Sequence, residues 1–225
     1  MLRPLLYIFS CCLSLASVTV EAQSFYSKNF RAADGLAADL TKCVIQDKLG
    51  FIWVGSDNGL VRYDGYSFES FENSTASNYI KHLEYDKDSS IIVAHDLGLT
   101  RITYGDGIKP FFNTIRAGQR TKTDTTLWYP KKVYRDTRDN IWVAEPQSVV
   151  KLGNESFRRF DFADSENSTS FVESFNFLQL DEKQLLITSF PGNIFVYDYE
   201  NDTVRQVSKN PQVGEIHIAQ RIADS

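Results

Sequence analysis

The side chains able to do chemistry in this chain are few and scattered. His82, His95 and His217 share no metal-ligand spacing with one another or with a cysteine. Cys43 has no histidine near it in sequence and reads as an inert thiol on a strand. No glycine-rich phosphate loop, G-x-S-x-G elbow or H-E-x-x-H pair occurs. No catalytic, cofactor-binding or metal-binding residue is therefore assigned, ligand-binding residues are left unassigned, and the chain is read as having no enzyme activity of its own. Asp47, Asp86 and Asp136 each stand five residues before a short apolar run, and Asp181 stands four before another. One reading makes them acceptors of backbone N–H groups in tight turns; the other makes them calcium ligands or acids. Recurrence at one turn position spreads them apart instead of gathering them, which favours the structural reading. The close acidic pairs Asp86/Asp88 and Asp161/Asp164 are placed in turns facing solvent. A ligand-contact candidate is the irregular stretch 113–126 with Arg116, Arg120 and Lys122, whose alternative is a surface insertion. Trp128 and Tyr129 are placed either to stack on a sugar or to open a strand.

The elements that must carry these residues are short strands. FIWV at 51–54 is nearly all apolar, LVRY at 60–63 alternates, and YSFESF follows an Asp64-Gly65 hairpin signal. TKCVIQ at 41–46 precedes them, closing through Asp47 and Gly50. That is a four-stranded antiparallel meander, marginal alone. The run IWVG at 52–55 returns as IIVA at 91–94, IWVA at 141–144 and LLIT at 185–188, about 40 to 50 residues apart, each followed by a turn and a further strand. A four-strand unit at this period predicts an all-β fold, a β-propeller of four-stranded antiparallel blades. The expected blades cover 41–72, 79–115, 128–161 and 171–208, and a fifth begins near 215. The expected ring is thus incomplete, and the chain is expected to be the N-terminal piece of a longer product. FYSKNF at 25–30 is expected to be an orphan outer strand of the kind that closes a last blade. Trp53 and Trp142 are expected to pack between blades, and Gly55 to permit close approach near the channel.

A net charge of −5 without a basic stripe argues against nucleic acid and anionic membrane surfaces. Residues 1–22 read as a secretory signal peptide, with Arg3, an apolar run over 5–15 and small residues at Val20 and Ala22; the alternative is a retained anchor. Cys11 and Cys12 leave with it. No apolar stretch long enough to span a bilayer follows, so the chain is expected to be exported. The N-x-S/T patterns at Asn73, Asn154, Asn167 and Asn201 fall in predicted turns.

The segment 34–71, DGLAADLTKCVIQDKLGFIWVGSDNGLVRYDGYSFESF, resembles the two-component regulator propeller repeat. The resemblance rests on Asp47, Gly50, Ile52, Trp53, Gly55, Gly59, Leu60, Arg62, Asp64 and Gly65. The second repeat departs from it at Ser90, Ile92 and Ala94, the third keeps Trp142, and the fourth keeps an apolar skeleton. The resemblance implies a periplasmic sensory region of a bacterial histidine kinase or diguanylate cyclase receptor. It implies that an unidentified small molecule or oligosaccharide is the ligand and that the full-length, inner-membrane-anchored receptor is a homodimer. The alternatives are a propeller-based secreted lyase or hydrolase, or a scaffold that senses nothing.

Overall fold

Apolar runs of four or five residues, bounded by Asp, Asn and Gly, are too short for helices and pair as ladders. A computed structural model of the chain describes residues 27–153, 155–162, 173–190 and 192–209. The first sheet holds β1 (Thr41–Gln46), β2 (Ile52–Ser56), β3 (Gly59–Tyr63) and β4 (Phe68–Ser70). The second holds β5 (Ile80–Tyr85), β6 (Ile91–His95), β7 (Gly98–Tyr104), β8 (Pro110–Gln119) and β9 (Leu127–Trp128). The third holds β10 (Lys132–Arg135), β11 (Ile141–Ala144), β12 (Ser148–Leu152) and β13 (Phe157–Asp161). The fourth holds β14 (Glu173–Gln179), β15 (Gln184–Phe190), β16 (Asn193–Asp198) and β17 (Thr203–Lys209). All pairings are antiparallel and sequential, except that β9 pairs parallel with β8. The first strands of successive sheets lie side by side, β1 against β5, β5 against β10 and β10 against β14. These are blades of a β-propeller with β1, β5, β10 and β14 innermost.

The middle strands of blades two and three are buried on both faces, β6 and β11 along their whole length, so the core lies between blades. Trp53 is fully buried among Leu60, Ile80, Leu83, Ile91, Val93 and Ile102, joining blades one and two. Trp142 is equally buried among Phe175, Phe177, Leu185, Ile187 and Tyr197, joining blades three and four. Burying an indole in this way contributes roughly 2–3 kcal/mol, from apolar area alone. The seam between blades two and three is aliphatic, with Ile92, Leu99, Leu127, Val133, Val143 and Val150. A Cβ on Gly55 would meet Ile80 Cγ2 at 2.5 Å and Cys43 Sγ at 2.6 Å, so the close approach of blade two onto blade one requires glycine there. Gly59, at φ 145°, opens β3 in a backbone conformation that side-chain-bearing residues avoid.

Several expectations need correction. Residues 27–30 form no strand; 25 and 26 lie outside the described residues. Phe30 instead packs its ring on Tyr63 (5.1 Å) and Phe68 (5.2 Å), so it covers blade one through side-chain contact without a ladder. Only the second half of the stretch 113–126 is irregular: β8 runs on to Gln119, residues 120–126 form a loop, and β9 returns at Leu127. Glycine makes this extension possible: a Cβ on Gly98 would lie 2.3 Å from Arg116 O, and one on Gly118 2.9 Å from Gly98 N. Trp128 accordingly pairs with the second sheet, and the third begins at Lys132. The expected signal peptide (1–22) and fifth blade (from 215) lie outside the described residues.

Candidate functional site: the channel mouth and its supporting turns

The turn between the first two strands of a blade is built by its aspartate. Asp47 Oδ1 accepts N–H groups of Leu49 and Phe51, both at 2.9 Å. Its Oδ2 accepts the Trp53 indole N–H at 2.8 Å and the Tyr104 hydroxyl, from the next blade, at 2.5 Å. Asp136 repeats the scheme in blade three. Its Oδ1 accepts from Arg138 N and Asn140 N, and its Oδ2 from Trp142 Nε1 (2.8 Å) and the blade-four Tyr199 hydroxyl (2.7 Å). Burial, reinforced by the bond to Asp47, pushes the Tyr104 phenol up to about 12; burial and Asp136 push Tyr199 up in the same way. Both tyrosines therefore stay protonated donors. One carboxylate thus fixes a turn, orients an indole and ties a blade to the next.

Blade two departs. Ile92 replaces the tryptophan and carries no N–H, and Asp86 turns to arginine. Arg101 donates to its Oδ2 at 2.6 Å, and Arg135, from blade three, donates to its Oδ1 through Nε (2.6 Å) and Nη2. Burial pushes the Asp86 carboxyl up, but the bonds from Arg135 and Lys87 N and the charges of both arginines outweigh it and hold it below the usual range. Asp86 is buried, contrary to the expectation that it faces solvent; its neighbour Asp88 does face solvent. Asp161 is exposed and pairs with Lys122 at 2.5 Å; Asp164 lies outside the described residues.

At the other end of the inner strands, a cluster of cations and tyrosines surrounds the channel mouth. It comes from the approach to β5 (Tyr79), from β1 and β5 themselves (Lys42, Lys81), from the β6–β7 turn (Asp96) and from the approach to β10 (Tyr129, Lys131). β1 and β5 each carry a register shift here, at 41/43 and 80/82, which re-aims side chains at the strand ends. Lys81 Nζ lies 2.5 Å from Asp96 Oδ1, with both side chains buried (8% and 4% exposed). It also lies 3.1 Å from the centroid of the Tyr129 ring. Lys131 approaches that ring at 4.3 Å, and Lys42 lies 3.6 Å over Tyr79. Arg120 reaches Asp96 at 3.5 Å. Burial pulls the Lys81 amine down to about 8, with Lys131 and Lys42 adding to the fall and Asp96 opposing it. Tyr129 holds φ at 49°, a costly backbone state for an aromatic residue. Four cations against one carboxylate leave the mouth positive on a chain that is negative overall.

The remaining expected residues are placed structurally. His95 Nε2 shares a hydrogen bond with Thr100 Oγ1 at 3.0 Å, His82 Nδ1 accepts from Val133 N at 3.5 Å, and burial holds both imidazoles down at about 4. His217 lies outside the described residues. Burial pushes the Cys43 thiol up to about 12, which leaves it unreactive at neutral pH. Trp128 donates from its indole to Arg120 O at 3.1 Å and from its backbone to Glu145 at 2.7 Å. Arg116 donates to Thr125 O. Among the described residues no group of three His, Cys, Asp or Glu is gathered to hold a metal ion, and no helix is long and apolar enough to cross a membrane.

No family model matches the chain. Over 70 residues it is 36% identical to histidine kinase P4 of Formosa agariphila, a match covering 30% of this chain and 5% of that protein. Its fold is similar to the extracellular domain assigned to the hybrid two-component system BT3049 of B. thetaiotaomicron. That likeness has a TM-score of 0.61 at 16% identity and covers 80% of this chain and 26% of the other. It is also similar to virginiamycin B lyase from Staphylococcus aureus, with a TM-score of 0.53 at 12% identity, over 84% of this chain and 61% of the other. The chain therefore spans a small part of the histidine kinase and about a quarter of the two-component domain. At these identities the solved structures speak for the fold. The fold is that of a propeller.

Proposed function

We propose that this chain is the ligand-binding part of an exported bacterial sensor, belonging to a larger two-component-type receptor whose output module lies elsewhere. The observation that carries the reading is the mouth: Tyr79 and Tyr129 with Lys42, Lys81 and Lys131 held on their rings, and the buried Lys81–Asp96 pair beneath. Cations fixed by rings are pre-organised to meet a ligand's oxygens, and tyrosine offers a flat surface for a sugar ring. The ligand class is a small molecule or oligosaccharide, with a preference for one that carries negative charge. The local identity to a histidine kinase supports the receptor context, and the fold likeness to a two-component extracellular domain is consistent with it. In this reading the mature chain is periplasmic, and the full-length receptor is inner-membrane anchored and works as a homodimer. The lyase likeness concerns the fold, and no nucleophile–base pair is assembled at the mouth among the described residues.

The test is calorimetric titration of the full chain with a panel of neutral and uronate-bearing oligosaccharides. Saturable binding of a panel member, weakened tenfold or more in Tyr129→Ala and Tyr79→Ala while far-UV circular dichroism is unchanged, supports the reading. Binding that is indifferent to both substitutions overturns the placement of the site.

A further inference from the structure

The seam between blades two and three lacks both aromatic members of the scheme that fills the other seams. Ile92 stands where Trp53 and Trp142 stand, and Asn154 occupies the sequence position of Tyr104 and Tyr199. The described residues of this seam line a cavity of about 390 Å³, with Arg101, Arg116, Arg135 and Lys87 together with Asp139 and Glu155. This volume lies within the range of small-ligand sites, roughly 300–1,000 Å³.

We propose that this seam is a second binding site, separate from the mouth, for the oxyanion of a small molecule: a carboxylate, sulfate or phosphate group. Arg101 and Arg135 are locked in place because each engages the same buried carboxylate, Asp86, through its Nε/Nη2 edge. That geometry leaves the Nη1 edge of Arg101 outside the pair, while Arg135 Nη1 is spent on Asp139 O. Arg116 comes from the middle of β8, anchored by Nη2 to Thr125 O at 2.7 Å and lying 5.1 Å from the Phe157 ring of blade three. Among the described residues no carboxylate is paired with Arg116 or with Lys87. A guanidinium held in position by packing and lacking a carboxylate partner is a ready donor for an oxyanion that accepts in bidentate fashion. Asp86 neutralises one of the two partly buried arginines, so the cavity keeps a positive balance once Asp139 and Glu155 are counted. An occupant would bridge β8 of blade two and the β12–β13 turn of blade three.

The experiment is isothermal titration of the full chain, in chloride buffer of constant ionic strength, with inorganic sulfate, inorganic phosphate and citrate in separate arms. Calorimetry is preferred to melting temperature because sulfate and phosphate stabilise proteins without a site. The expected result is one saturable site for at least one of the three anions, whose identity assigns the group. Arg116→Gln is expected to weaken it tenfold or more. Thr114→Glu, which puts a carboxylate on the exposed cavity-lining position of β8, is expected to abolish it. Tyr129→Ala at the mouth is expected to leave it unchanged, which separates this site from the proposed sensory one. Absence of saturable heat in all three arms, or equal affinity in Arg116→Gln and Thr114→Glu, overturns the proposal.

Discussion

Truncating Asp136 to alanine tests how much of the fold hangs on one turn carboxylate. The side chain accepts five hydrogen bonds, from Arg138 N, Asn140 N, Asn140 Nδ2, Trp142 Nε1 and the Tyr199 hydroxyl. Two of these donors are deep: Trp142 is fully buried and Tyr199 is 9% exposed. An unsatisfied buried donor costs about 1–3 kcal/mol, so the pair accounts for about 4 kcal/mol. The three donors of the turn lie nearer water, recover partners there, and add about 1 kcal/mol together. The expected loss of about 5 kcal/mol is a third or more of the stability of a typical domain, about 5–15 kcal/mol. Two controls sharpen the figure. Asp181 stands one residue later in the blade-four turn, where Leu180 takes the place of Asp136 in the backbone bonding, and among the described residues it accepts from Lys183 N and Gln184 N, both near solvent; Asp181→Ala should cost about 1 kcal/mol. Tyr199→Phe removes one donor and should also cost about 1 kcal/mol. The assay is equilibrium urea unfolding of the full chain followed by tryptophan fluorescence. Equal losses in Asp136→Ala and Asp181→Ala would refute the account of the turn as a link between blades.

Three further outcomes are expected. Burial pushes the Glu84 carboxyl up to about 7, with Lys132 opposing; a raised carboxyl binds its proton more tightly folded than unfolded, so stability falls as pH rises from about 4.5 to 7. Glu84→Gln should flatten that decline and be more stable than the wild type at pH 8, by about 2 kcal/mol in urea unfolding. Asp86 has the opposite sign: its folded value is depressed, so its contribution is full above the ordinary aspartate range and is lost as pH falls through the folded value. Asp86→Asn should destabilise by about 3–5 kcal/mol at pH 7, because it strands two arginines, and should show a weaker acid dependence of its melting temperature. Gly55→Ala should cost about 1–3 kcal/mol by driving Ile80 and Cys43 apart, although alanine stands at the same place in blades two and three, measured by the shift in urea midpoint.

Much of the architecture was legible because the repeat is local. The IWV-type runs and the aspartates before them lie within a dozen residues of each other, so strand, turn and buried tryptophan could be read together. The second partner of Asp47 and Asp136 was not read, although it carried a signal: Tyr104 and Tyr199 occupy the same place at the end of the third strand of their blades, three residues beyond Arg101 and Val196. The burial of Asp86 was missed because its partners come from Arg101 and Arg135, and the loss of the indole at Ile92 gave no hint of what would replace it. The extension of β8 was hidden because its Thr, Arg and Gly residues read as loop, while the opposed glycines Gly98 and Gly118 allow a ladder. The mouth was half legible. Tyr129 stood out as an aromatic, but Tyr79 and Lys81 come from the approach to β5 and its start, Asp96 from the β6–β7 turn and Lys42 from β1, and only the docking of one inner strand on the next brings them together.

The most direct test of the sensory reading is mapping of backbone amide shifts on the isotopically labelled full chain, titrated with whichever oligosaccharide binds in calorimetry. The account predicts perturbations concentrated at 42, 79–82, 96–98 and 127–131, around the Lys81–Asp96 pair and the two tyrosines. Perturbations confined to the outer strands or to the Asp47 and Asp136 turns, with the mouth silent, would contradict it.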